Sequence, residues 1–130
     1  MAARLLVIDD NEDITLTLSI CLKSAGLLVD AFNDPVEALD AFLAGSKKYD
    51  LLICDVRMPK MTGFEFVRHV VAQDPCLIVV MMTAFDVHKE EIDRELPSIK
   101  IDALLNKPIG MSRLIDMVNT LVMAKKPRAV

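Results

Sequence analysis

Four short apolar runs in this chain each lead to side chains able to do chemistry. Arg4 to Ile8 stops at Asp9 and Asp10, Leu51 to Cys54 at Asp55, Leu77 to Met82 at Thr83, and Ile101 to Leu105 just short of Lys107 and Pro108. An acid at the end of a buried strand is costly to place unless it binds a cation or reacts. Three carboxylates meeting in one crevice repel one another and need a positive partner. Oxygen ligands with room for water suit Mg2+, with Mn2+ as the substitute, because that ion typically takes one or two carboxylates together with phosphate oxygens. Lys107 adds an ammonium and Thr83 a hydroxyl donor. A divalent cation, an ammonium and a hydroxyl around a carboxylate are what phosphoryl transfer to that carboxylate requires, since they neutralise and orient the equatorial oxygens. An aspartate can act as the nucleophile and give an acyl phosphate. Taken singly, each residue is an ordinary surface acid, strand-end acid or ion-pair partner. At successive strand ends they form a set.

The elements that must position this set read as strand and helix in alternation. After the first run, Ile14, Leu18, Cys21, Leu22 and Ala25 make one helical stripe that stops at Gly26. Leu27 to Phe32 reads as the second strand. Asn33-Asp34-Pro35-Val36-Glu37 reads as a helix start, with a capping side chain, proline in the first turn and an acid near the positive end of the dipole. That helix ends at Gly45-Ser46. Leu51 to Cys54 is a strand apolar on both faces, as in a parallel sheet. Phe64 to Val71 mark a third helix, ending at Asp74-Pro75. After Thr83, residues 86 to 96 read as a polar helix with a thin apolar side of Val87, Ile92 and Leu96, and residues 111 to 123 as the last helix. Five strand–helix units imply a mostly parallel sheet covered on both faces, with right-handed crossovers. Ligands bind at the carboxyl edge of such sheets, and every residue of the set lies on that edge.

Composition agrees. The chain has 130 residues, enough for one domain, with 53% hydrophobic and 26% charged residues. Its net charge of −4 argues against direct nucleic-acid binding. No apolar run is long enough for a membrane span, and Met1 to Arg4 leads straight into a strand with no signal peptide. Cys21, Cys54 and Cys76 form no paired framework and fit a reduced cytoplasm as small apolar residues. His69 and His88 read as ordinary helix residues. The eight methionines read as core filler, with Met58 and Met61 partly exposed in the loop after Asp55.

Val7-Ile8-Asp9-Asp10-Asn11, Asp55-Val56-Arg57-Met58-Pro59 with Gly63, Met82-Thr83-Ala84 and Lys107-Pro108 are together highly specific. Through them the chain resembles the receiver domain of the response regulators of two-component signalling, from residue 4 to about 123. The resemblance implies a flavodoxin-like (βα)5 doubly wound sheet of order 2-1-3-4-5. It implies that Asp55 takes a phosphoryl group from the phosphohistidine of a histidine kinase or phosphotransfer protein. Mg2+ would be held by Asp10, Asp55 and the Arg57 carbonyl, with Asp9 acting through water. Thr83 and Lys107 would contact the phosphoryl group, and the Lys107-Pro108 bond would be cis. The implied domain covers residues 1–124, followed by a basic tail, residues 125–130, expected to be disordered. With no output domain after the last helix, a stand-alone cytoplasmic switch would act by binding a downstream protein or by passing the phosphoryl group on. It would be a monomer or a phosphorylation-linked dimer.

Three features depart from the family's pattern. Leu104 stands where an aromatic residue is usual, three positions before the lysine. The stretch Ser98-Ile99-Lys100-Ile101-Asp102 lacks the usual Gly-Ala pair. Arg57 and Phe85, each two past a site residue, are bulky where water would approach an acyl phosphate. Two other readings compete. A Mg2+-dependent phosphatase of the haloacid-dehalogenase type uses similar residues, but it carries Asp-x-Asp after its first strand and usually a cap domain. A degenerate receiver would bind partners without phosphorylation, against which the full five-residue set argues.

Overall fold

The computed structural model describes residues 2–84 and 87–125. Five parallel strands, β1 (Arg4–Ile8), β2 (Leu28–Phe32), β3 (Leu51–Asp55), β4 (Ile78–Thr83) and β5 (Ala103–Asn106), form one sheet in the order 2-1-3-4-5. Five helices, α1 (Glu12–Ser24), α2 (Pro35–Ala44), α3 (Gly63–Gln73), α4 (Lys89–Glu95) and α5 (Met111–Ala124), follow the strands in turn. The alternation of side chains along each strand splits the core in two. Leu5, Val7, Leu51, Ile53, Val80 and Met82 face one way, onto Leu18 and Leu22 of α1 and Leu114 and Val118 of α5. Leu6, Ile8, Leu52, Cys54, Val79 and Met81 face the other way, onto Ala38 of α2 and Phe66, Val67 and Val70 of α3. The three central strands are buried on both faces, which explains their unbroken apolar runs.

The turns that carry the site are fixed by local chemistry. Asn11 caps α1 by accepting from the Asp13 and Ile14 amides. Asp34 caps α2 by accepting from Val36 N at 2.8 Å, with Pro35 in the first helical turn. Thr62 caps α3 through Glu65 N. At the opposite edge of the sheet, Asp50 Oδ2 accepts from Arg4 N at 2.9 Å, and the Asp50 carbonyl accepts from Lys125 Nζ at 3.2 Å. Nearby, the Tyr49 hydroxyl donates to Asp30 Oδ2 at 2.7 Å, with Arg4 and Lys47 at 3.4 and 3.5 Å from the same oxygen.

Several local expectations are corrected. The second strand starts at Leu28, because Leu27 N is turned back to the Leu22 carbonyl. The fifth strand starts at Ala103 and runs to Asn106, not from Ile101 to Leu105. Asp102 replaces the ladder there, its carboxylate accepting from Val79 N at 2.8 Å while its own N–H donates to the Val79 carbonyl. α4 is seven residues long and contains no buried residue. Val87 and Leu96 flank it, and His88 is its N-cap residue, outside the helix, with no side-chain capping bond. Met58 is buried in the core at 8% exposure, leaving Met61 as the partly exposed one of the pair. Phe85 and the tail residues from Lys126 onward lie outside the described residues.

Candidate functional site

Strand register brings the acids together. Ile8 pairs with Cys54, so Asp9, the next residue after β1, lies beside Asp55 at the end of β3. Asp55 pairs with Met82, which sets Thr83 one position further along β4. Thr83 pairs with Asn106, and Lys107 N donates to the Thr83 carbonyl at 2.8 Å, so Lys107 enters the same rim. The Lys107-Pro108 bond is cis. All the expected side chains thus arrive at one end of the sheet.

Asp9, Asp55 and Thr83 are buried, Asp10 is exposed, and one carboxylate oxygen from each of Asp9, Asp10 and Asp55 lies within 4.8 Å of the others. Lys107 Nζ is 2.7 Å from Asp9 Oδ2 and 3.3 Å from Asp55 Oδ1. Asp9 Oδ1 accepts from Asn11 N at 2.9 Å. Asp9 Oδ2 is buried, and the Lys107 ammonium at 2.7 Å is its partner. Among the described residues, neither the Asp10 carboxylate nor the Thr83 hydroxyl has a hydrogen-bond partner. The donor set contains only hard oxygens, the three carboxylates have a single ammonium among them, and the Asp10 carboxylate has no partner among the described residues. That fits a hexacoordinate oxygen-seeking cation such as Mg2+ and does not fit Zn2+, which prefers nitrogen and sulfur.

Electrostatics point the same way. Burial, and then the Asp9 charge, push the Asp55 carboxyl up to about 6, and Lys107 only partly offsets them. Burial would pull the Lys107 ammonium down, but Asp9 and Asp55 outweigh it and hold it above its ordinary value. Asp55 is therefore destabilising when ionised in the cation-free protein. Its folded-state value lies above the ordinary 3.8, so between pH 4 and 6 the folded protein holds the extra proton. Its contribution to stability is lost as pH rises through that window. Without divalent cation, Asp55→Asn should accordingly be more stable than the wild type at pH 7, by about 1–3 kcal/mol, and the two should converge near pH 4. Denaturant titrations at both pH values check this; a variant less stable at pH 7 would refute the strain assigned to Asp55.

The loop after Asp55 is tied down on both sides. Lys60, in a left-handed conformation at φ 73°, places Nζ 2.7 Å from Asp34 Oδ2, and Arg57 Nη2 lies 3.4 Å from Glu91 Oε1 of α4. Leu104, in the place usual for an aromatic, is 37% exposed on β5. Sequence reading missed Asn33 and Thr15. Asn33 Nδ2 donates to the Asp9 carbonyl and to Thr15 Oγ1, both at 2.8 Å. Nothing in the sequence separates Asn33 from the helix start that follows it.

Comparison with known proteins converges on one family. A family model described as "Response regulator receiver domain" matches residues 5–119. The response regulator MprA of Mycobacterium tuberculosis is 31% identical over 127 residues, covering 98% of this chain and 54% of its own length. A protein-glutamate methylesterase/protein-glutamine glutaminase of Anaeromyxobacter dehalogenans is 40% identical over 80 residues, 62% of this chain and 22% of that protein. The chain thus spans about half or less of these relatives. The chemotaxis protein CheY4 of Vibrio cholerae superposes with a TM-score of 0.81 at 31% identity, covering 92% of this chain and 98% of that one. A CheY-like receiver from Methanospirillum hungatei has the same fold at a TM-score of 0.86 and 20% identity, covering 96% and 97% of the two chains. Among the described residues no helix is long and apolar enough to cross a membrane. With a matching model over most of its length and the strand order of its structural neighbours, the chain belongs to the response regulator receiver domain family.

Proposed function

We propose that this domain is a phosphoacceptor switch in which Asp55 receives a phosphoryl group from a phosphohistidine on a histidine kinase or phosphotransfer protein. The observation that carries this is the Lys107 ammonium lying between two buried carboxylates, with an oxygen of a third acid within 4.8 Å of theirs. Asp9, Asp10 and Asp55, with the Arg57 carbonyl, would hold the Mg2+. When bound, that ion supplies positive charge for the phosphoryl oxygens. A carboxylate oxygen of Asp55 attacks phosphorus; the P–O bond forms as the P–N bond breaks, and its electron pair stays on the donor imidazole. Lys107 stays as a point charge for a phosphoryl oxygen and the Thr83 hydroxyl donates to another. The chemistry is confined to the protein's own aspartate, with no turnover of an external substrate. Residues 1–124 make up the switching unit, which acts in the cytoplasm on a protein partner and without contacting nucleic acid.

The decisive experiment is labelling by a small phosphodonor such as acetyl phosphate. Label should appear in wild type only with Mg2+ or Mn2+, at one site per chain, and be absent from Asp55→Asn. Asp10→Ala should bind Mg2+ much more weakly by titration. Label in Asp55→Asn equal to wild type, or unchanged Mg2+ affinity in Asp10→Ala, would overturn the assignment. Multiple turnover of phosphate monoesters would point to the phosphatase chemistry instead.

A further inference from the structure

We propose that Asn33 is a positioning residue for the acidic site, aiming the Asp10 carboxylate by clamping the peptide between Asp9 and Asp10; this rests on the reading of that site as a Mg2+ site. Asp10 is exposed, and its carboxylate has no hydrogen-bond or ion-pair partner among the described residues. Its side chain is therefore directed by its backbone alone. The two peptide planes that flank Asp10 are each held by one bond. After Asp10, Asn11 N–H donates to Asp9 Oδ1 at 2.9 Å. Before it, the Asp9 carbonyl accepts from Asn33 Nδ2 at 2.8 Å. The first bond is made within the turn itself, by a candidate ligand. The second comes from outside it, at the end of β2.

The amide of Asn33 is itself oriented. A backbone carbonyl can only accept, so the amide nitrogen must face Asp9. The same nitrogen donates to Thr15 Oγ1, whose hydroxyl proton goes to the Glu12 carbonyl at 3.1 Å. Thr15 is 5% exposed, so this relay is anchored in the buried side of the first turn of α1. Capping of α2 makes no demand on Asn33, because Asp34 supplies the capping oxygen. A turn residue with no further task would not need its amide spent on two partners in a different loop. Groups that orient a metal site without touching the ion are worth about ten- to a hundredfold in affinity where they have been removed.

The test is Mg2+ titration followed by amide chemical shifts, run beside acetyl phosphate labelling. Asn33→Ala should raise the half-saturating Mg2+ concentration about tenfold and leave the labelling rate at saturating Mg2+ close to wild type. Asn33→Asp keeps the shape, removes the donor and adds a negative charge. If the role is positional it should also weaken Mg2+; if charge alone mattered it would bind more tightly. Thr15→Val, which frees the amide from its anchor, should show a smaller shift in the same direction. Should Asn33→Ala fail to fold, the two near-isosteric variants decide the matter. Mg2+ affinity within twofold of wild type in Asn33→Ala, or tighter binding in Asn33→Asp, overturns the role of Asn33 while leaving the site intact. A wild type that takes up no Mg2+ overturns the underlying reading and this inference with it.

Discussion

Gly63→Ala is expected to destabilise the protein by about 3 kcal/mol or more and to blunt labelling of Asp55. A Cβ at residue 63 would lie 2.2 Å from the Asp55 carbonyl oxygen, 2.9 Å from Val56 Cα and 3.0 Å from the Asp55 carbonyl carbon. All three atoms are backbone, at the buried end of a central strand, and none can swing aside. Gly63 N also donates to the Val56 carbonyl at 2.8 Å, so the first turn of α3 is clipped onto the end of β3. Relief requires α3 to lift its Phe66, Val67 and Val70 off the sheet residues they share a core with, such as Leu52 and Cys54, or Asp55 to move away from Lys107. The requirement at residue 63 is thus close approach and has no bearing on backbone freedom. Chemical denaturation measures the cost, and labelling at saturating Mg2+ measures the displacement. A variant within 1 kcal/mol of wild type with unchanged labelling would show that the clip is looser than this contact implies.

Lys107→Ala should leave the fold formed while removing the response to phosphorylation. Lys107 is the one cation among the described residues within ion-pair distance of Asp9 or Asp55. Removing it leaves two buried carboxylates facing each other, a change that costs about 3–5 kcal/mol for a fully buried pair. Lys107 is 22% exposed and carboxylates can take up a proton, so the loss at neutral pH should be nearer 2 kcal/mol. The pH dependence identifies the cause. With Lys107 gone, Asp55 is pushed further above its wild-type value of about 6, so the folded variant holds a proton that the unfolded chain has released. Stability of the variant should therefore fall as pH rises from 4 past 6, and the gap to wild type should close on the acid side. Amide shifts with and without beryllofluoride test the second half. A Lys107→Ala protein that shifts as the wild type does would rule out Lys107 as the group that reads the phosphoryl charge.

Much of this molecule was legible in its sequence, for a physical reason. In a sheet buried on both faces, each inner strand writes itself as an unbroken apolar run, and each polar residue that ends such a run must be explained. That logic found Asp9, Asp10, Asp55, Thr83 and Lys107 before any geometry was known. It worked less well at the margins. β2 and β5 are edge strands, so their ends are set by what their neighbours offer and less by their own apolar content. Asp102, read as part of a strand, supplies a carboxylate to the Val79 amide and thereby delays the strand by two residues. Val87, Ile92 and Leu96 were read as the apolar side of one helix, yet Val87 and Leu96 are buried anchors on either side of α4, a seven-residue helix of which Ile92 packs partly buried on the core. Asn33 was invisible because its partners, Asp9 and Thr15, are 24 and 18 residues away and meet it only through the crossover from β1 to β2.

The pairing of Arg4 and Lys125 with the same residue, Asp50, has a use in engineering. The path into the sheet and the path out of α5 open at one spot, on the edge opposite the acids. A host protein could therefore carry this domain as a cassette spliced into a surface loop, with both junctions near Asp50 and the acidic cluster at the other end of the sheet, away from the seams.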